Sequence, residues 1–277
     1  MKPDIRLIAL DMDGTLLDAD HATIPPRNIQ ALRAAAAQGA YIAIATGRSW
    51  SLVRETAAQL GVVSHGITAN GALALDAATG KPLAKFPMDP KQCVEIVHVL
   101  RKYGLFYELY VDGANYVQES ELSGARDYSL SEAFLQMFQR NVTLVPDMAT
   151  WAAATLPEKF DIFYVPTQQR AAILQELEAT GPLSIASALQ TNLELTAQNV
   201  NKGRALAALA GSLGLQPQQV MAFGDADNDL EMLRWAGWSF AMGNGTDQAK
   251  AAAKFVTENN RDGGVGLAVE KYLLESV

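Results

Sequence analysis

Two short apolar runs, each closed by an aspartate and a glycine-bearing turn, constrain this chain more than any other feature. Leu7 to Leu10 runs into DMDGTLLD at 11 to 18, and Val220 to Phe223 runs into GDADND at 224 to 229. A strand that is apolar at every position is buried on both faces; such strands belong to parallel α/β sheets, which present polar groups at their carboxyl ends. If the two strands are neighbours, Asp11, Asp13, Asp225 and Asp229 gather at one sheet edge with a formal charge of −4. A fold tolerates four such acids with a hard cation between them, so the motifs predict a magnesium site with a carboxylate left over for chemistry.

The elements around these runs extend the pattern. Pro25 and Pro26 open a helix with Ile29, Leu32 and Ala36 on one face and a stop at Gly39; Tyr41 to Ala45 is a second strand, and Trp50 to Leu60 a second helix closed by Gly61. Ile67 to Ala69 is a third strand, and Asn70-Gly71 signals a tight turn into the alternation of Ala72 to Leu75. This βαβαβ order is half of a doubly wound sheet. From Lys85 the rhythm changes to antiparallel-type strands and helices: Pro90 to Tyr103, Phe106 to Val111, Tyr116 to Gln118, Asp127 to Phe138, Lys159 to Val165, Thr167 to Thr180 and Ser184 to Leu189. The first pattern then resumes with a helix at 202 to 213, the strand at 220 to 223, a helix at 227 to 236, a strand at 239 to 242 and a terminal helix at 265 to 274. The expected architecture is a mostly parallel, Rossmann-like α/β core over 1–84 and 190–277, with an α+β domain over 85–189 inserted into it.

Length and charge agree with two domains and narrow the partners. A chain of 277 residues exceeds one compact core, and its 49% hydrophobic content suffices for two. Lys+Arg 22 against Asp+Glu 30 gives −8 with no basic run, which argues against nucleic acid and anionic membrane surfaces. The amino terminus reads as neither a secretory signal nor a span, so a cytoplasmic protein is expected. Cys93 has no partner for an internal disulfide and reads as buried packing. The three histidines lack metal-ligand spacing, no GxSxG is present, and no GxGxxG follows a strand, which leaves zinc, serine-hydrolase and dinucleotide chemistry without support. A calcium loop beginning at Asp225 fails because Leu230 and Ala236 stand where Gly and Glu are required.

Single motifs decide little. Asp11 and Asp13 share a face of an extended strand end, and Gly14 lets the backbone turn so that amides face an anion. Thr46, with Gly47 behind it, ends the second strand, where a hydroxyl and free amides form an oxyanion cradle; the same dipeptide also serves as a plain helix cap. Lys202 sits in the first turn of a helix, against helix-dipole preference, and a function would explain the misplacement. Asp225, Asn228 and Asp229 place three polar groups after one buried strand, more than a structural turn needs.

Taken in order, DMDGT, TGR at 46 to 48, Lys202 in NKG and GDADND resemble the four motifs of the haloacid dehalogenase superfamily of phosphatases, and most closely its Cof-type branch, subclass IIB. NGA at 70 to 72, AMGNGT at 241 to 246 and DGGV at 262 to 265 extend the resemblance over both halves of the core. The resemblance implies that Asp11 is the nucleophile that becomes an aspartyl phosphate, and that Asp13 is the general acid and then the general base. It implies magnesium held by Asp11, the Asp13 carbonyl and Asp225, with Asp229 as support behind them. Thr46, Lys202, Asn228 and the backbone amides of Met12 and Gly47 would bind phosphoryl oxygens. With the cation and Lys202 counted, the four acids still leave −1. Asp13, where P-type ATPases have Thr, favours water as acceptor; Arg48 either faces the inserted cap and the substrate or pairs with an acid. The implied activity is hydrolysis of a small phosphorylated metabolite, a sugar phosphate foremost, with the cap closing over the sheet edge and setting specificity. A phosphomutase or phosphotransferase, and a non-catalytic phosphate sensor, share the motifs.

Overall fold

A computed structural model describes residues 3–122, 138–187 and 191–274. The chain divides into two compact units, one of residues 1–48, 53–84 and 201–277, the other of residues 49–52 and 85–200. Among the described residues no helix is long and apolar enough to cross a membrane.

The first unit is built on an eight-stranded sheet in the order β14-β13-β12-β1-β2-β3-β4-β5. These strands are β1 (Leu7–Leu10), β2 (Tyr41–Ala45), β3 (His65–Thr68), β4 (Leu73–Asp76), β5 (Pro82–Lys85), β12 (Val220–Gly224), β13 (Trp238–Ala241) and β14 (Phe255–Val256). β1 lies between β12 and β2 and is parallel to both, with Leu10 opposite Phe223 on one side and Ile44 on the other. Chain order runs outward from β1 in one direction through β2 and β3, and in the other from β12 through β13, so the switch point of the sheet falls between β1 and β12. Asp11 and Asp225 follow those two strands. The side chains of β1 and β12 are buried throughout, which is why their sequences show no polar alternation.

Helices flank this sheet: α1 (Pro26–Ala37), α2 (Trp50–Leu60), α6 (Lys202–Ser212), α7 (Leu230–Trp235), α8 (Asp247–Ala252) and α9 (Gly264–Val269). The buried face of α1 is Asn28, Ala31, Leu32 and Ala35. It is rotated from the expected face of Ile29, Leu32 and Ala36 because Asn28 turns inward to bond Leu16 and Gly266. The expected hairpin at Asn70-Gly71 joins β3 to an antiparallel β4.

The second unit contains a six-stranded sheet in the order β10-β11-β9-β6-β7-β8. Its strands are β6 (Tyr107–Val111), β7 (Ala114–Gln118), β8 (Val142–Val145), β9 (Lys159–Ile162), β10 (Leu183–Ala186) and β11 (Leu193–Ala197), and its helices are α3 (Pro90–Lys102), α4 (Met148–Ala154) and α5 (Arg170–Ala179). Tyr107, Leu109, Phe160, Ile162, Leu193 and Leu195 join Ile96, Val97 and Leu100 of α3 in one apolar core. The alternate residues point to the opposite face, and strand register aligns Glu194, Asp161 and Glu108 in one row across β11, β9 and β6.

The return to the first unit comes later than the expected residue 190. Leu193–Ala197 pairs antiparallel with β9 and β10, so it is a strand of the six-stranded sheet, and the second unit runs to Val200. β5, β8, α4, α8 and β14 were not expected from the sequence. They are two to seven residues long, too short for periodicity to register. The helical segment expected from Asp127 lies, apart from Phe138, outside the described residues, as does the end of the strand expected to reach Leu189.

Candidate active site

Asp11 ends β1, and its N–H donates to the Phe223 carbonyl of β12 at 3.0 Å, which ties the two motif-bearing strands together at their carboxyl ends. Its side chain is buried, with the residue 6% exposed. The backbone then folds into a tight turn over Met12–Leu16, in which the N–H groups of Leu16 and Leu17 donate to the carbonyls of Asp11 and Met12. Gly14 holds φ at +85° there, and a Cβ at that position would lie 2.4 Å from Oδ2 of Asp225. Glycine is therefore required for two reasons, left-handed backbone and close approach. Thr15 donates its hydroxyl to Oδ1 of the same Asp225 at 2.8 Å.

Lys202 explains its position at the start of α6 by what it touches. Its side chain is fully buried, and Nζ donates to Oδ1 of Asp11 at 2.6 Å and to Oδ1 of Asp229 at 2.7 Å. Two carboxylates at bonding distance outweigh the unfavourable helix end. Asn201 caps α6 by accepting from the Arg204 N–H at 2.8 Å. The second oxygen of Asp229 accepts from the N–H groups of Asp225 (2.9 Å) and Ala226 (3.1 Å), closing the GDADND turn. One carboxylate oxygen from each of Asp11, Asp225 and Asp229 lies within 4.8 Å of the others.

The TGR loop is braced from β3. Ala69, Asn70 and Gly71 all have positive φ (+52°, +55° and +99°), a conformation that costs free energy at the alanine. The N–H of Ala69 donates to the Arg48 carbonyl (3.0 Å) and that of Asn70 to the Thr46 carbonyl (3.1 Å). A Cβ on Gly71 would lie 2.3 Å from the Asn201 carbonyl oxygen. One turn thus abuts both the Thr46 loop and the start of the Lys202 helix. Thr46 is buried, and its Oγ1 accepts from the Arg48 N–H at 3.2 Å.

Arg48 pairs with an acid. Its Nη2 donates to Oδ1 of Asp13 at 2.6 Å, and His21 Nδ1 lies 3.0 Å from the same oxygen. Asp13 is thereby separated electrostatically from its neighbour Asp11, and its side chain is 36% exposed. The charge count also changes. Four acids (−4) with Lys202 and Arg48 (+2) leave −2, which a divalent cation would neutralise, where the count with a cation but without Arg48 left −1. Burial pushes the Asp11 carboxyl well above its usual range against the opposing pull of Lys202, and burial raises Asp225 against its bond from Thr15. Lys202 is drawn the other way: burial weakens its hold on the proton, but Asp11 and Asp229 outweigh it, and its affinity for the proton rises. All-oxygen donors, converging and short of positive charge, are the donor set that a hard divalent cation takes.

The sequence-named residues thus fall into distinct places. Asp11, Asp225, Asp229 and Lys202 converge; Asp13 stands with Arg48; Thr46 and Gly47 lie on the braced loop; Met12 is buried in the tight turn; Asn228 is exposed in the turn Asp227–Asp229. Thr15, His21 and Asn244, whose Nδ2 donates to the Gly14 carbonyl at 2.8 Å, were not singled out from sequence. DGT and GNGT contain two of them, but only the fold shows whom they bond.

The haloacid dehalogenase-like hydrolase family matches residues 8–269 of this chain. The chain belongs to that family. This hydrolase is 31% identical over 271 residues to the 5-amino-6-(5-phospho-D-ribitylamino)uracil phosphatase YcsE of Bacillus subtilis, covering 98% of the chain and 97% of the relative. It is 29% identical over 280 residues to phosphatase YwpJ of the same organism, covering 94% and 97%. A haloacid dehalogenase-like hydrolase structure from B. subtilis matches with a TM-score of 0.79 at 28% identity, covering 97% of this chain and all of that one (100%). With the family and these relatives, the hydrolase is a phosphatase.

Proposed function

We propose that this phosphatase removes phosphate from a small metabolite in which the ester sits on a polyhydroxylated carbon chain, through an aspartyl phosphate on Asp11 and with magnesium as the cation. The observation that carries the mechanism is the contrast between two aspartates two residues apart, one buried and gripped by Lys202, the other half-open and held by Arg48. Lys202 fixes Oδ1 of Asp11 and so orients the carboxylate for attack, leaving its other oxygen to form the bond to phosphorus as the ester P–O bond breaks. Arg48 and His21 occupy Oδ1 of Asp13, which leaves Oδ2 to carry the proton delivered to the departing alkoxide. Water then attacks phosphorus, gives its proton to Asp13, and the Asp11–phosphorus bond breaks to release phosphate. Lys202, the Thr46 hydroxyl and the amides of Met12 and Gly47 would hold the phosphoryl oxygens, with Asn228 at the mouth of the GDADND turn. Asp11, Asp225 and the Asp13 carbonyl would hold magnesium, supported by Asp229, and the bound ion would neutralise charge on the carboxylates and the phosphoryl group.

Two relatives, at 31% and 27% identity, carry the name 5-amino-6-(5-phospho-D-ribitylamino)uracil phosphatase. A ribityl phosphate and a sugar phosphate share a phosphate monoester on a hydroxylated chain, and that is the substrate class proposed. The test is a panel of sugar phosphates, polyol phosphates and 5-amino-6-(5-phospho-D-ribitylamino)uracil, assayed for released phosphate with magnesium and with chelator. Turnover should centre on this class and vanish on chelation. Undiminished turnover in chelator would remove the metal from the mechanism, and preference for an unhydroxylated ester would remove the substrate class.

A further inference from the structure

Three carbonyls of the loop that follows Asp11 are each held by an asparagine side chain. Asn244 Nδ2 donates to the Gly14 carbonyl at 2.8 Å, Asn28 Nδ2 to the Leu16 carbonyl at 3.3 Å, and Asn260 Nδ2 to the Leu17 carbonyl at 2.8 Å. Two of these amides are held from behind: Asn244 Oδ1 accepts from the Asn260 N–H at 2.9 Å, and Asn28 Oδ1 accepts from the Gly266 N–H at 2.8 Å. Every partner is a backbone group that can only accept or only donate, so the orientation of Asn244 and Asn28 follows from their partners. An asparagine is the short neutral side chain that can donate to one and accept from the other. Asn28 and Asn260 are buried, where an unmet carbonyl would be costly; Asn244 is itself exposed, and its partners are the Gly14 carbonyl and the N–H of buried Asn260.

The Gly14 peptide is confined from two sides. Asp225 packs against its Cα so tightly that no Cβ fits, and Asn244 holds its carbonyl. That carbonyl belongs to the Gly14–Thr15 peptide, so the bond fixes the backbone of Gly14 beyond its Cα; with the Cα also confined, Gly14 is the anchored end of the Asp13–Gly14 peptide from which the Asp13 side chain departs. We infer that Asn244, backed by Asn260, is a positioning residue that aims Asp13 for proton transfer, with Asn28 and Asn260 anchoring the far end of the loop. This inference rests on the assignment of Asp13 as the proton carrier. It gives the GNGT segment a role, since that segment supplies Asn244 and no acid of the site.

A misaimed proton carrier harms substrates with poor leaving groups and spares those with good ones, whereas general loss of structure harms both. The experiment measures kcat and KM of wild type, Asn244→Leu and Asp13→Ala on phenyl phosphate and p-nitrophenyl phosphate. Asn244→Leu should lower kcat/KM, which reports the steps through departure of the leaving group and not the later hydrolysis common to both substrates, about 10-fold or more on phenyl phosphate and by less than about 3-fold on p-nitrophenyl phosphate. Asp13→Ala should show the same bias more strongly. If Asp13→Ala is biased and Asn244→Leu slows both substrates alike or neither, the positioning role is overturned. If Asp13→Ala shows no bias, the assignment of Asp13 itself fails.

Discussion

Each unit of this hydrolase gathers three buried or half-buried carboxylates around one lysine, and the two clusters differ in how the surplus negative charge is met. In the first, Asp11, Asp225 and Asp229 stand at loop ends beyond parallel strands, with Lys202 bonded to two of them. In the second, Glu108, Asp161 and Glu194 sit in register in mid-strand, with Lys159 Nζ 3.2 Å from Asp161 and 3.0 Å from Glu194. Like charges directly opposite on a sheet are destabilising. Burial, and then the charge of Asp161, pushes Glu108 up to about 8, so it keeps its proton at neutral pH. The hydrogen bonds agree. The Tyr110 hydroxyl reaches Oε1 of Glu108 at 2.8 Å and Oδ2 of Asp161 at 3.2 Å, but it has one hydrogen. A proton on Glu108 that donates to Tyr110, with Tyr110 donating to Asp161, satisfies all three. In the second cluster a proton on Glu108 takes the count from −2 to −1 from within, while the first keeps oxygens converging on a point that a cation would complete.

The largest test of this division is on turnover. Asp11→Asn should lower kcat by about 10⁴-fold or more, because the proposed bond to phosphorus forms on the Asp11 carboxylate. Glu108→Gln, equally buried and equally an acid-to-amide change, should leave turnover of the same substrate within a few-fold. A Glu108→Gln enzyme as inactive as Asp11→Asn would show that the second cluster takes part in the chemistry.

Stability separates the clusters next. Lys159→Met removes the positive charge beside Asp161 and Glu194 and should cost about 3–5 kcal/mol in urea unfolding, with or without magnesium. Lys202→Met should cost clearly less in magnesium than in chelator, since the cation can stand in for the lost positive charge. Magnesium-dependence of the Lys159→Met cost, or its absence for Lys202→Met, breaks the comparison.

The two clusters also differ in how far the sequence discloses them. Asp11, Asp13, Asp225 and Asp229 each lie just past an apolar strand, and a short motif keeps neighbours together, so both the sheet and the acid site could be read in advance. Lys202 could be suspected because it violates a helix preference. Glu108, Lys159, Asp161 and Glu194 each occupy the polar positions of alternating strands, and alternation of that kind reads as a solvated face. Period two states which residues share a face and says nothing about what covers it. Tyr110 shows the same limit: an aromatic residue of the same strand as Tyr107, it lies on the face opposite that core residue, within the polar network. The bonds of Arg48 to Asp13 and Asn244 to Gly14 span 35 and 230 residues, and no local pattern announces partners so distant.

The smallest expected effect is a slope. Because folding raises the Glu108 pKa from its ordinary carboxyl range to about 8, the folded protein binds more protons than the unfolded chain between those values. Stability attributable to this group is therefore present at low pH and is lost as pH rises toward 8, by at most about 1.4 kcal/mol per pH unit for one proton. Glu108→Gln removes the titration but keeps the bonds, since its amide can donate to the Tyr110 oxygen and accept from Asn115 Nδ2, which donates to Oε2 of Glu108 at 2.5 Å. Relative to wild type, the variant should gain stability steadily from pH 5.5 to pH 8 in thermal unfolding. A constant difference across that range would mean that Glu108 is ionised throughout, and that the second cluster carries the same −2 as Asp11, Asp225 and Asp229 with Lys202.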